Sequence, residues 1–117
     1  MIQVEENIIR LKEEVSGTCQ KLGRDPSEIV LVAVTKLASR ELIQQAMDAG
    51  ITDVGENKVQ EAVKKYQGLK SPLGPLKRHM IGHLQTNKVK QALKIFDLVQ
   101  SVDSLKLAYT LEKELQR

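Results

Sequence analysis

Two apolar patterns alternate along this chain, and together they leave few folds open. Short runs rich in β-branched residues, of which Ile29-Val30-Leu31-Val32-Ala33-Val34 is the clearest, recur between segments whose apolar residues fall three and four apart. A run that is apolar on both faces marks a strand of a parallel sheet covered by helices. Such runs start near residues 29, 51, 78 and 97, in steps of about 19 to 27 residues that match the size of βα units. A doubly wound sheet and a barrel both satisfy this spacing.

The segments between the runs read as helices. Val4, Ile8, Leu11, Val15, Cys19 and Leu22 form one apolar stripe, and Gly23 supplies its stop. The loop Arg24-Asp25-Pro26-Ser27 leads into a strand over 29–34. Ser39 is the expected N-cap of a helix carrying Leu42, Ile43, Ala46 and Met47, which Gly50 ends. A second strand is expected over 51–55, then a helix with Val59, Ala62, Val63 and Tyr66 that Asn57-Lys58-Val59-Gln60 opens with capping-box spacing. After a loop over 70–75 come a third strand over 79–84 and a stripe of Val89, Ala92, Leu93 and Phe96. A fourth strand is expected over 97–102, and Ser104 or Asp103 caps a last helix. No linker interrupts the series, so 1–117 is expected to form one domain.

Composition narrows the function classes. At 41% hydrophobic and 28% charged over 117 residues, the chain is suited to one soluble core. The start, Met1-Ile2-Gln3-Val4-Glu5-Glu6, lacks the apolar core of a signal peptide. No apolar run approaches the roughly 20 residues that span a bilayer, so no membrane partner is expected. A lone Cys19 fits a reducing cytoplasm. The net charge is +3, with a pI near 9.0. Basic and acidic residues are interleaved and aromatics are only 3%, which argues against nucleic acid.

Lys36 closes the first strand on the face of Val32 and Val34, at the carboxyl end where α/β proteins hold ligands. Apolar walls there would disfavour the ammonium and leave an amine able to attack an aldehyde. Position alone favours a plainer explanation, a strand-terminal lysine reaching water. The other strands end in Gly55-Glu56-Asn57, His83-Leu84-Gln85 and Ser101-Val102-Asp103, a polar half-rim. Each has an ordinary alternative: Asn57 and Asp103 as helix caps, Gly55 as a turn, His83 as a structural histidine. One Cys and two His without ligand spacing argue against zinc, and no phosphate loop or nucleophile elbow is present.

In combination, Val32-Ala33-Val34-Thr35-Lys36, Gly55-Glu56-Asn57-Lys58-Val59-Gln60-Glu61, the stretch His79-Met80-Ile81-Gly82-His83-Leu84-Gln85-Thr86-Asn87-Lys88, and Ser101-Val102-Asp103-Ser104 closely resemble the pyridoxal phosphate homeostasis protein family. That family's fold is similar to the N-terminal barrel of alanine racemase. The resemblance implies an α/β fold of the (β/α)8 TIM-barrel type, present here as an N-terminal helix plus about four βα units, or half a barrel. It implies pyridoxal 5'-phosphate as cofactor, held as a Schiff base on Lys36 with Asn57 beside the ring. It also implies a part in vitamin B6 and amino-acid balance without turnover.

A full barrel has eight units in about 250 residues, and barrel phosphate sites follow strands seven and eight. The phosphate-binding residues and the arginine near the pyridine nitrogen belong to the half this chain does not span, so weak cofactor retention is expected. The inner faces of Val30, Val32 and Val34 would lose their cover and two strand edges would stand open. Self-association, or pairing with the missing half, is therefore expected. Two other readings stay open. One is a racemase-like enzyme, for which only Tyr66 and Tyr109 could be an opposing tyrosine acid, both within helices. The other is a cofactor-free interaction module.

Overall fold

Helix α1 covers Val4–Lys21 and ends where Gly23 permits it. Gly23 takes φ 66, its N–H donates to the Gln20 carbonyl at 3.2 Å, and the Arg24 N–H donates to the Cys19 carbonyl at 2.8 Å. This pair of bonds satisfies carbonyls that the last turn would otherwise leave open. The expected loop beyond it tightens into a 3-10 turn over Pro26–Glu28, capped by Asp25. The computed structural model describes residues 4–69 and 72–117; Lys70 and Ser71 of the expected 70–75 loop lie outside the described residues.

Four βα repeats follow. Strand β1 is Val32–Val34, helix α2 Arg40–Asp48, β2 Asp53–Glu56 and α3 Val59–Tyr66. Strand β3 is Lys77–Met80, a 3-10 turn over Thr86–Lys88 leads into α4, Val89–Ile95, and β4 is Leu98–Val99. Helix α5 covers Leu105–Leu115. Ser39 caps α2, accepting from the Leu42 N–H at 3.2 Å. Ser104 rather than Asp103 caps α5, accepting from the Leu107 N–H at 3.1 Å.

All pairings are parallel and the strand order is β1-β2-β3-β4. Every crossover therefore steps in the same direction, and a uniform hand puts the connecting helices on one face. A doubly wound sheet needs a reversal of order, and this sheet has none. On the covered face, Val54 and Met80 pack against Ile43, Met47, Ala62, Val89, Ala92 and Leu107, all buried. Burying each large aliphatic side chain is worth about 1.5–3 kcal/mol, so this layer holds the sheet to its helices. The opposite face is poorly covered: Val34 is 53% exposed and Leu98 42%, with Val30 at 59% and Val102 at 48% beside them.

The strands are shorter than the apolar runs. Pairing begins at Val32 rather than 29, because Leu31 packs on the core outside the ladder. Strand β2 runs on to Glu56 instead of ending at 55. Strand β3 starts at Lys77, two polar residues earlier than its apolarity suggests, and ends at Met80; Leu84 is buried without being in a strand. Among the described residues no helix is long and apolar enough to cross a membrane.

Candidate functional site at the carboxyl ends of the strands

Lys36 lies in the tight turn that follows β1. The Ala38 N–H donates to the Thr35 carbonyl at 3.1 Å, which makes Lys36 and Leu37 the central residues. Leu37 has φ 64, a conformation that glycine usually fills at the second central position and that costs a branched residue about 1–2 kcal/mol. The strain sits beside the candidate lysine. Lys36 is solvent-exposed. The apolar walls expected to desolvate it are absent here, because Val34, its neighbour on the same face, is itself half open to water.

Beneath this turn lies a polar network that sequence reasoning missed. Glu56 is fully buried. Its Oε2 accepts from Thr35 Oγ1 at 3.2 Å and from Lys65 Nζ at 3.0 Å, and its Oε1 accepts from the Asn57 N–H at 3.0 Å. Lys65 Nζ also donates to the Thr35 carbonyl at 2.8 Å. The Tyr66 hydroxyl meets Thr35 Oγ1 at 2.9 Å, and Arg40 donates to the carbonyls of Lys64 and Lys65 at the end of α3. One buried carboxylate thus ties the residue before Lys36 to the backbone of Asn57. Burial pushes the Tyr66 hydroxyl up to about 12, with the bond to Thr35 opposing and the charge of Glu56 adding. Tyr66 does lie in the apolar stripe of its helix, as expected, yet its hydroxyl reaches the end of β1.

Asn57 is half-buried. The expected capping box does not form, because Lys58 occupies the N-cap of α3 and no side chain caps it. The Asn57 side chain makes no hydrogen bond among the described residues. Its backbone is crossed closely by Gly82, where an added Cβ would lie 2.6 Å from the Asn57 carbonyl oxygen and 2.8 Å from its Cα. That approach requires glycine, and it brings the loop of His83 against Asn57. His83 Nδ1 meets Asp103 Oδ2 at 3.1 Å, both groups exposed. Asn57 and His83 line one cleft of about 300 Å³ with Lys58, Gln85 and Lys88. Lys36 does not line it.

A second polar cluster sits on the open face of the sheet. His79 is buried, with Nε2 2.7 Å from Asp53 Oδ2 and Nδ1 2.7 Å from the Gln100 amide nitrogen. If the amide donates to Nδ1, the ring's Nε2–H donates to Asp53. Burial alone would raise the Asp53 carboxyl. Bonds from Thr52 and His79, with the charge of Lys77, outweigh it and hold the group below the usual range. A carboxylate inside an otherwise apolar run was the signal for this cluster. A larger cleft of about 440 Å³, bordered by Lys12, Val30, Ile51 and Asp53, holds none of the expected site residues. No cluster of His, Cys, Asp and Glu able to hold a metal ion occurs among the described residues.

No family model matches the chain. The pyridoxal phosphate homeostasis protein of Pseudomonas aeruginosa is 37% identical over 114 residues, 97% of this chain and 49% of that protein. Its counterpart in Pasteurella multocida is 38% identical over 111 residues, 95% of this chain and 48% of that protein. The backbone superposes on PipY of Synechococcus elongatus, solved with pyridoxal phosphate bound, with a TM-score of 0.78 and 36% identity, covering 98% of this chain and 50% of PipY. The chain spans about half the length of the curated relatives it matches. Matched along nearly its whole length in sequence and in backbone, the chain is similar to about half of a pyridoxal phosphate homeostasis protein.

Proposed function

We propose that this chain is the cofactor-attaching half of a pyridoxal phosphate carrier, a half-barrel in which Lys36 holds the aldehyde and Asn57 stands beside the ring. When bound, the cofactor supplies an aldehyde that condenses with a primary amine and a ring that draws electrons. The observation that carries the reading is the buried bracket of Glu56, Thr35 and Lys65, which steadies the backbone of both Lys36 and Asn57. The rest of the rim fits the aldehyde end. Gly55 keeps the floor low, since a Cβ there would lie 3.0 Å from Ile81 and 3.1 Å from Val32, and the Asn57 carboxamide is free to bond a ring substituent. Barrel phosphate sites follow strands seven and eight, so the cofactor's phosphate is assigned to the other half.

The relatives' names and the bound pyridoxal phosphate of PipY support the same cofactor for this chain. The singly wound order and the exposed Val30, Val34, Leu98 and Val102 support closure of the sheet by four more strands, from a second copy or from the other half. The lone buried Cys19 supports a cytoplasmic setting. Carriage without turnover is supported by the tyrosines: Tyr66 is buried against Thr35 and Tyr109 is exposed on α5. His83 and Asp103 pair at 3.1 Å on the exposed rim.

Adding pyridoxal phosphate to the purified chain and recording the visible spectrum tests attachment. A band that Lys36→Ala lacks is the expected result, and identical spectra with and without Lys36 would overturn the proposal. Chiral chromatography after incubation with L-alanine should show no racemisation above free cofactor. A Lys36-dependent rate would make the chain an enzyme.

A further inference from the structure

The cleft between the starts of α3 and α4 has chemistry that, Asn57 apart, cofactor attachment leaves unused. Lys58 and Lys88 supply two full positive charges to its wall, and His83 adds an imidazole held at Nδ1 by Asp103. Asn57, Gln60 and Gln85 add three carboxamides, and no carboxylate lines the space. Among the described residues, neither lysine has an ion-pair or hydrogen-bond partner, unlike Lys65, which meets Glu56, and Lys12, which meets the Gly50 carbonyl. The floor is apolar, made of Val59, Met80 and Leu84, all buried.

Two unpaired cations facing one partly enclosed space repel each other and favour any anion that enters. The carboxamides can donate to its oxygens, and bonds from ionised donors are the strong ones. The apolar floor has no use for a bare ion and suits a short hydrocarbon stem. At about 300 Å³ the space is at the small end of ligand sites. From these features we infer that the cleft binds a small oxyanion, carboxylate or phosphate, carried on a short apolar stem. The site shares only Asn57 with the attachment site and does not depend on it.

Nuclear magnetic resonance titration of the full chain tests this, with inorganic phosphate and butyrate as probes at ionic strength matched by chloride. Saturable shifts confined to amides of residues 57–60 and 83–88 are expected from at least one probe. Which probe saturates separates a phosphate from a carboxylate ligand, and saturation by either supports the site. Lys58→Gln with Lys88→Gln should weaken binding by about tenfold or more, the loss of charge-assisted contacts. Lys58→Gln alone, at an exposed position, should weaken it at least threefold should the double variant not fold. Lys36→Ala should leave it within twofold, which separates this site from the attachment proposal. Shifts that fail to saturate, spread over all basic surfaces, or persist unchanged in the lysine variants would overturn the inference.

Discussion

Glu56→Ala should be the most damaging single truncation near the site. Glu56 is 0% exposed and its partner Lys65 18% at the side chain, so this pair escapes most of the screening that weakens surface salt bridges. Removing one member of a buried pair costs about 3–5 kcal/mol, because the other is left uncompensated. The Asn57 N–H would also lose its acceptor, a further penalty of roughly 1–3 kcal/mol if no water replaces it. Two features moderate the loss: Lys65 keeps the Thr35 carbonyl, and Thr35 keeps the Gly55 carbonyl. About 3 kcal/mol is the resulting expectation, or a fall in Tm of about 12 °C for a chain of this size. Glu56→Gln keeps an acceptor and should cost about 1–2 kcal/mol. Urea melts at fixed protein concentration and pH 7 measure both, and a double-mutant cycle with Lys65→Ala isolates the coupling. A Glu56→Ala cost below about 1 kcal/mol, or equal costs for the two variants, would refute the idea that this carboxylate braces the strand ends.

Tyr66, pushed up to about 12, ionises near 10 when unfolded. A folded value above the unfolded one means its contribution is whole below about pH 10 and is lost as pH rises toward 12. Urea midpoints should fall across that window in the wild type and fall less in Tyr66→Phe; parallel curves would contradict the assignment. The 13.1 kDa chain should not persist as a monomer, since β1 and β4 leave open edges and one sheet face is half exposed. Sedimentation velocity at several concentrations should show association, and a stable monomer down to low micromolar would count against closure by a second copy or the other half.

The fold was legible wherever local chemistry decides structure. Gly23, Ser39 and Ser104 end or begin helices where their residue types require, and the βα alternation needed only the apolar period. Periodicity cannot distinguish a paired strand residue from a buried loop residue, so Leu31 and Leu84 read as strand although they pack on the core outside the ladder. The same blindness hid Glu56, a carboxylate buried only because Thr35, Lys65 and the Asn57 N–H converge on it from across the fold. Position along a strand identified Lys36 and Asn57 as rim residues. It could not foresee that Lys36 would be exposed, because that depends on how well the sheet face carrying Val34 is covered.

Borohydride reduction in the presence of pyridoxal phosphate, followed by peptide mapping, tests the central claim most directly. The reductively trapped cofactor mass should fall predominantly on Lys36, against the other twelve lysines of the chain, and should be lost from that peptide in Lys36→Ala without reappearing elsewhere at comparable yield. Label spread evenly over exposed lysines, or an undiminished total in Lys36→Ala, would overturn the proposal that the turn after β1 attaches pyridoxal phosphate.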